Sequence, residues 1–511
     1  MSNKQIRIGS VLSYVQIALN VAVGLVYTPL MLRLLGQSEY GLYNTVASTI
    51  SMLAILNLGF SGGYIKYFTK YKENNDHESI FRLNGLFLSI FTIIGIIAFA
   101  CGVYLSNHLD IVFHAGLTQT EMIKARTLML LLTINLALSF PTSVFSNIIN
   151  AHEQFIFVKL LGMIKTVVTP LLTIPLLLLG KGSVAVVVVT LGVTFIVDAV
   201  NIFYVFNVLH NRFVFQNIER GMFLELFSYT SFIALNIIID QINWNVDKFL
   251  LGRYRGTIAV AVYSVGATLQ TYYQMFSTAL TGIFTPSIHR IVNVEKDVQL
   301  KNKEITNLFI RIGRIQYIIL GMVCLEMVFF GKEFIRYWAG EGYEESYVVA
   351  LMLMIPVTIP LIQNLGIEIQ RAQNQHQFRS IVYAIMAFIN LFVSIVLVQK
   401  YGASGAAFGT ALSLILANGL AMNIYYHKKC GINVVLFWKN IGRVSLGMVL
   451  PCVYGCSLRY FFDFHSIPSL ATGILTFIPV YFLSMWFCGI NSEEKCALYS
   501  VLRKLSRSGN D

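Results

Sequence analysis

Apolar stretches of about twenty residues recur along almost the whole 511-residue chain, each long enough to cross a hydrocarbon layer as a helix. About fourteen can be read, the first over 9–32 and the last over 466–489, separated by short polar links. Backbone in lipid must satisfy its own hydrogen bonds, so these segments are expected to be helices. No link is long enough for a separate domain, and the helix bundle itself must carry the function. The chain is 56% hydrophobic and 12% charged, about half the charged fraction of soluble proteins. The expected fold is an all-α polytopic membrane protein of about 14 transmembrane helices. The uncharged run 11–32 is too long for the core of a secretory signal and reads as the first pass.

Charge sets the orientation. The 37 Lys and Arg residues exceed the 25 Asp and Glu residues by 12, and alternate links differ about twofold in basic residues. The richer links include Lys66, Lys70, Arg212, Arg290, Lys301, Lys303, Lys428 and Lys429, which puts them, and both termini, in the cytoplasm. The segment 491–507 carries acids early and bases late with an apolar stripe, and reads as an interfacial helix.

An internal repeat orders the helices. Leu35 and Gly36 through Gly41 are echoed by Leu251 and Gly252 through Gly256, a shift of about 216 positions; Ala151 with Gln154 corresponds to Ala372 with Gln375, and Gly182 to Gly402. Six helices fit each repeat, an even number, so the halves share one orientation. The expectation is two parallel six-helix lobes, 1–215 and 216–430, around a central cavity, with two additional helices and a tail over 431–511. The seven cysteines lack a CxxC pair and read as buried small hydrophobes, with no metal site.

Three groups of residues match a known family. They are Pro29 to Tyr43 with Gly59, Gly62, Lys66 and Tyr67; Asp247, Lys248 and Gly252 running into Val262 and Tyr263; and Phe330, Gly331, Trp338 and Gly340. Over residues 1 to about 430 the sequence resembles the bacterial Wzx-type oligosaccharide flippases, in the superfamily that also holds lipid II flippases and multidrug and toxin extrusion antiporters. The resemblance implies alternating access between two lobes in the bacterial cytoplasmic membrane. It also implies movement of glycan linked to undecaprenyl pyrophosphate from the inner to the outer leaflet, for O-antigen, capsule or exopolysaccharide synthesis. Membrane lipids and polysaccharide assembly proteins are the expected partners, and nothing in the sequence points to nucleic acid.

Charges inside the helices are the candidate functional groups, because they are costly in lipid. Asn236, Asp240, Asn243 and Asp247 fall at i, i+4, i+7 and i+11, a polar stripe that lines a cavity or seams two helices. Asp240 is the candidate proton or cation site on that stripe, and Asp247 reads as an end cap or gate. Arg311 and Arg314 lie about one turn apart, where their forks could grip a pyrophosphate or snorkel as interfacial residues. Lys66 and Lys159 carry the same two readings. Lys165 and Asp198 lie at similar depths on successive helices, and a buried ion pair between them is favoured over Lys165 as a free phosphate ligand. No cofactor is expected; coupling to proton, Na+ or membrane potential is open.

Two other functions compete. A cation-coupled drug antiporter would be expected to use acids in the amino-terminal half, yet 6–32 contains none. A membrane-embedded glycan polymerase or glycosyltransferase would need a large outer loop or a metal motif, and neither is visible; no HExxH, Walker or GxSxG pattern stands out for an enzyme.

Overall fold

With no water to bond, the apolar segments close their backbone hydrogen bonds as helices. The computed structural model describes residues 3–496 apart from 58, 114–115, 217–219, 295–296, 374, 376 and 493, and holds no strand among them. In order come α1 (Asn3–Met52), a 3-10 turn (Leu53–Asn57), α2 (Phe60–Glu73), α3 (His77–Asn107), α4 (Leu109–Phe113) and α5 (Gln119–Ala151). There follow α6 (Phe155–Leu178), α7 (Gly182–Asn207), α8 (Arg220–Tyr254), α9 (Thr257–Val294), α10 (Val298–Ala339), α11 (Glu345–Ile362) and α12 (Leu365–Ala372). The last are α13 (Gln377–Leu414), a π-helical stretch (Ile415–Met422), α14 (Asn423–Lys428), α15 (Val434–Leu446), α16 (Val449–Phe461) and α17 (Ile467–Ser484).

Two helical runs are too long for a single pass: Val11–Glu73 has 63 residues and Gln377–Lys428 has 52. Each is broken at a glycine, Gly36 (φ 76°, ψ 168°) and Gly402 (φ 58°, ψ −132°), in backbone conformations that side chains with a Cβ rarely adopt. Counting one pass on either side of each break, and α11 with α12 and α15 with α16 as one pass each, gives 14. By length and hydropathy alone eight described helices qualify, or nine with the bent pair Val434–Leu446 and Val449–Phe461. The remainder comes from the two broken runs and from α8, α9 and α10, which are long but carry more polar side chains.

The repeat is visible in the backbone. Gly36 and Gly256 both have positive φ (76° and 83°), as do Gly182 and Gly402 (64° and 58°) and His210 and Gly431 (49° and 70°). The shift is therefore about 220 at Gly36 as elsewhere, and the counterpart of Gly36 is Gly256 rather than Gly252. Sequence matching alone caught the Leu-Gly pair and slipped by one helical turn.

By internal contacts the chain forms two units, Met1–Val265 with Ser380–Ser413, and Gly266–Arg379 with Leu414–Asp511. This grouping rests on contact, whereas the boundaries at 215 and 430 rest on sequence shift. In the first unit, Tyr64, Phe68, Phe87, Phe91 and Phe140 form an aromatic core between α2, α3 and α5. A second cluster joins Leu42 and Val46 of α1 to Phe113, Leu128 and Met129. In the second unit Phe330, Phe464, Phe477 and Tyr481 tie α10 to α17. Large apolar side chains such as Phe195, Ile196, Phe392 and Phe487 remain exposed, as lipid-facing residues do.

One corner of the first unit is held backbone to backbone. A Cβ on Gly41 would lie 1.8 Å from the Thr257 carbonyl oxygen, and one on Gly116 would lie 1.9 Å from that of Gly252. Glu121 binds the corner together: its Oε1 accepts from Ser38 (2.6 Å) and Thr257 (2.8 Å), and its Oε2 from the Thr118 amide and hydroxyl (2.9 Å each). Beside it, Glu39 accepts from the Ser183 amide (2.6 Å) at the start of α7 and pairs with Lys124 (2.9 Å).

The link after α7 is tied down by polar contacts. Tyr64 donates to Asn84 (2.6 Å), whose amide donates to Asn211 (3.3 Å) and to the Arg212 carbonyl (3.1 Å). Asn211 Nδ2 in turn lies 3.4 Å from His152 Nε2, while His152 Nδ1 faces the Ile148 carbonyl at 2.9 Å. That arrangement requires a neutral ring with its proton on Nδ1. Burial, with nearby Lys72, holds the His152 pKa below its ordinary value. A histidine depressed in the folded state stabilises fully above its unfolded pKa of about 6.5 and loses that contribution as pH falls from there through its lower folded-state value. The melting temperature in detergent is therefore expected to drop below about pH 6.5, and His152→Gln is expected to flatten the drop. An unchanged pH profile in that variant would remove His152 as its cause.

Candidate functional site

The first unit contains a buried acid with an oxygen-lined surrounding. Asp247 on α8 is only 1% exposed. Its Oδ2 accepts from the Tyr263 hydroxyl of α9 (2.8 Å) and from Thr410 Oγ1 on the second arm of α13 (2.6 Å). Asn390 and Ser394, one turn apart on the first arm of α13, complete the cluster: Asn390 donates to Thr410 (3.3 Å) and accepts from Ser394 (3.2 Å). The break at Gly402 lets one helical run supply both arms. Gly409 leaves the space between them, since a Cβ there would lie 2.6 Å from Ser394 Oγ.

The second oxygen of Asp247 is buried and has no hydrogen-bond partner. An orphaned carboxylate oxygen in a low-dielectric setting is costly. Asn390, Ser394 and Thr410 surround this carboxylate with neutral oxygen and amide groups, linked to it through the Thr410 hydroxyl. Asp247, read from the sequence as an end cap or gate, lies buried in a polar cluster that α8, α9 and α13 build together. The rest of its stripe changes environment along α8: Asn243 is half-buried, Asp240 is exposed, and the Asn236 side chain lies outside the described residues.

Lys165 on α6 donates to Thr194 Oγ1 of α7 at 2.9 Å. Asp198 lies one turn further along α7 and lines a cavity of about 110 Å³ with Asn135, Thr142 and Thr194. Among the described residues no ion pair within 4 Å joins Lys165 to Asp198; the threonine stands where the direct pair was expected, and the two charges act on each other only through space. Lys159 is half-buried, and Lys66 is exposed with its ammonium 5.4 Å from the Tyr67 ring centroid.

Arg311 and Arg314 line one cavity of about 520 Å³ in the second unit but differ in state. Arg314 is 3% exposed and bound: it donates to both Glu494 oxygens (2.7 and 2.8 Å), to the Gly489 carbonyl (2.8 Å) and to the Asn440 carbonyl (3.3 Å). Its fork is committed to the segment after α17 and is not open to a phosphate. Arg311 is exposed. Tyr273 is buried and bonds to Thr358 (2.7 Å), and Gln270 is buried.

Sequence reasoning missed Asn390, Ser394, Thr410 and Glu494. The first two carry a readable signal, polar residues four apart inside an apolar pass, but without the fold nothing ties them to Asp247, 163 positions from Thr410.

A bundle of this length, with a buried polar site inside a broken-helix unit, defines the class of multi-pass membrane proteins built on a transporter fold. The chain belongs to the polysaccharide biosynthesis protein family, whose model matches residues 8–292, and the resemblance read from the sequence is borne out. It is 22% identical over 222 residues to the capsular polysaccharide biosynthesis protein CapF of Staphylococcus aureus, a match spanning 43% of this chain and 54%, about half, of that protein. The fold is similar to that of the lipid II flippase MurJ in an inward closed conformation (TM-score 0.70, 15% identity, 94% of this chain and 98% of the other). It is also similar to an inward-facing multidrug resistance MATE family transporter of the MOP superfamily (TM-score 0.58, 14% identity, 82% and 99%).

Proposed function

We propose that this protein flips a polyisoprenyl-pyrophosphate-linked oligosaccharide from the cytoplasmic to the outer leaflet of the bacterial cytoplasmic membrane, by alternating access with both termini inside, to supply surface polysaccharide synthesis. Membership of the polysaccharide biosynthesis family supports the glycan class. The observation that carries the anionic headgroup is Lys165: an ammonium within a membrane helix whose hydrogen bond goes to a neutral hydroxyl, so no direct ion pair has to break before it offsets the desolvation of pyrophosphate. Lys159 and Lys66, on the same unit, would guide the headgroup toward it.

Asp247 is the proposed coupling site. A cation or proton bound at its orphaned oxygen would return inward as substrate moves outward, adding its own gradient to the driving force for export. With the interior negative, carrying two negative charges outward gains roughly 4 to 5 kcal/mol per 100 mV.

The test is flipping of a fluorescent polyprenyl-pyrophosphate glycan in proteoliposomes with imposed potential. Wild type is expected to flip it; Lys165→Gln is expected to slow flipping about tenfold, a loss of about 1.4 kcal/mol, and Lys165→Arg to retain most of the rate. No flipping by wild-type protein that exports a cationic dye under the same gradient would replace this reading with the antiporter.

A further inference from the structure

The cavity of about 520 Å³ beside α10 lies in the second unit and is not used by the transport reading. Its wall is one face of α10, where Glu304, Asn307 and Arg311 follow at i, i+3 and i+7. Glu304 and Arg311 have opposite charge, are both exposed, and have no hydrogen bond or ion pair among the described residues. They stand two turns apart, about 10.5 Å along the axis, too far to neutralise each other directly by ordinary one-turn pairing. Asn440 of α15 faces them across the cavity, and the Arg314–Glu494 pair closes it with no net charge. In sequence the lining residues are flanked by Arg290, Lys301, Lys303 and Lys439. Next to Leu436 on the cavity wall, Val435 is exposed and apolar.

The geometry points to a headgroup site for a zwitterionic phospholipid, of the phosphoethanolamine class, separate from the transported substrate. The phosphodiester meets the Arg311 fork and the Asn307 amide, which suit its oxygens. The ammonium, two carbons away on the same headgroup, turns toward Glu304. The apolar edge at Val435 and Leu436 gives the acyl chains a way out to the bilayer. A site for a simple anion would gain nothing from Glu304, and a site for a simple cation nothing from Arg311; one ligand with both charges satisfies both side chains.

The full-length protein, purified in detergent, is tested by native mass spectrometry and thermal stability against phosphatidylethanolamine, phosphatidylglycerol and soluble O-phosphoethanolamine. Wild type is expected to retain phosphatidylethanolamine in preference to phosphatidylglycerol. Arg311→Gln is expected to lower retention of both at least tenfold, and Glu304→Gln to remove the preference while leaving phosphatidylglycerol binding intact. Asn307→Leu serves as the second variant and is expected to weaken both lipids. Soluble O-phosphoethanolamine is expected to compete only at far higher concentration, since it lacks the chains. Equal lipid retention by wild type and Arg311→Gln overturns the site. An unchanged lipid preference in Glu304→Gln, or a response to soluble phosphoethanolamine without a response to lipid, overturns the zwitterionic lipid assignment. None of these measurements depends on flipping activity.

Discussion

Asp247→Asn is expected to reduce coupled transport in energised proteoliposomes at least tenfold and to abolish its dependence on the driving cation or proton, while the protein folds and melts close to wild type. The asparagine carbonyl can still accept from Tyr263 and Thr410, which hold Asp247 Oδ2 at 2.8 and 2.6 Å, so the packing of α8 against α9 and α13 is kept. What is lost is the negative charge and the second, unpartnered carboxylate oxygen. If Asp247 were only a structural seam, the amide would serve as well and transport would be normal; that result would discard the coupling site and leave the family and fold unaffected. Thr410→Val is expected to act in the same direction more weakly, because it removes one oxygen of the cluster and leaves the charge.

Arg314→Ala is expected to destabilise the second unit by about 3–5 kcal/mol, because it strands a buried carboxylate. Glu494 is 9% exposed and meets both Arg314 contacts from one side chain. Among the described residues Asn491 also holds it, its amide donating to Glu494 Oε2 and its Oδ1 accepting from the Glu494 amide, at 2.9 Å each. The chain after Gly489 is expected to detach, which limited proteolysis would detect as a new cleavage beyond that residue. The double variant Arg314→Leu with Glu494→Leu is expected to recover most of the stability, since apolar replacement of both partners removes the desolvation penalty as well as the attraction. Failure of the double variant to recover would assign Arg314's role to its bonds with Gly489 and Asn440 instead.

The helices, their number and the repeat were legible because they rest on local signals: apolar length, charge in the links and glycine spacing. Gly402 was read as the partner of Gly182, and both adopt positive φ. The charged residues were legible as candidates, but their states were not. Arg314 and Arg311 look alike in sequence, three residues apart on one helix face, yet one is bonded to a residue 180 positions away and the other has no partner among the described residues. Lys165 and Asp198 matched in depth, but Thr194, one turn from Asp198, takes the lysine hydrogen bond. Asp240 and Asp247 share a stripe, and only the arrival of α13 decides which of them is enclosed. In each case the deciding partner is distant in sequence and is itself an unremarkable polar residue.

The first unit recruits Ser380–Ser413 from late in the chain, and this sets a timetable for its synthesis. Thr410 follows Asp247 by 163 positions. At roughly 5–20 residues per second, the ribosome needs on the order of ten to thirty seconds to deliver it. For that interval Asp247 is in the membrane with Tyr263 as its neighbour but without the arm that encloses it. Chains released before that point lack the arm that carries Thr410, so the enclosure of Asp247 is among the last steps of folding in the first unit.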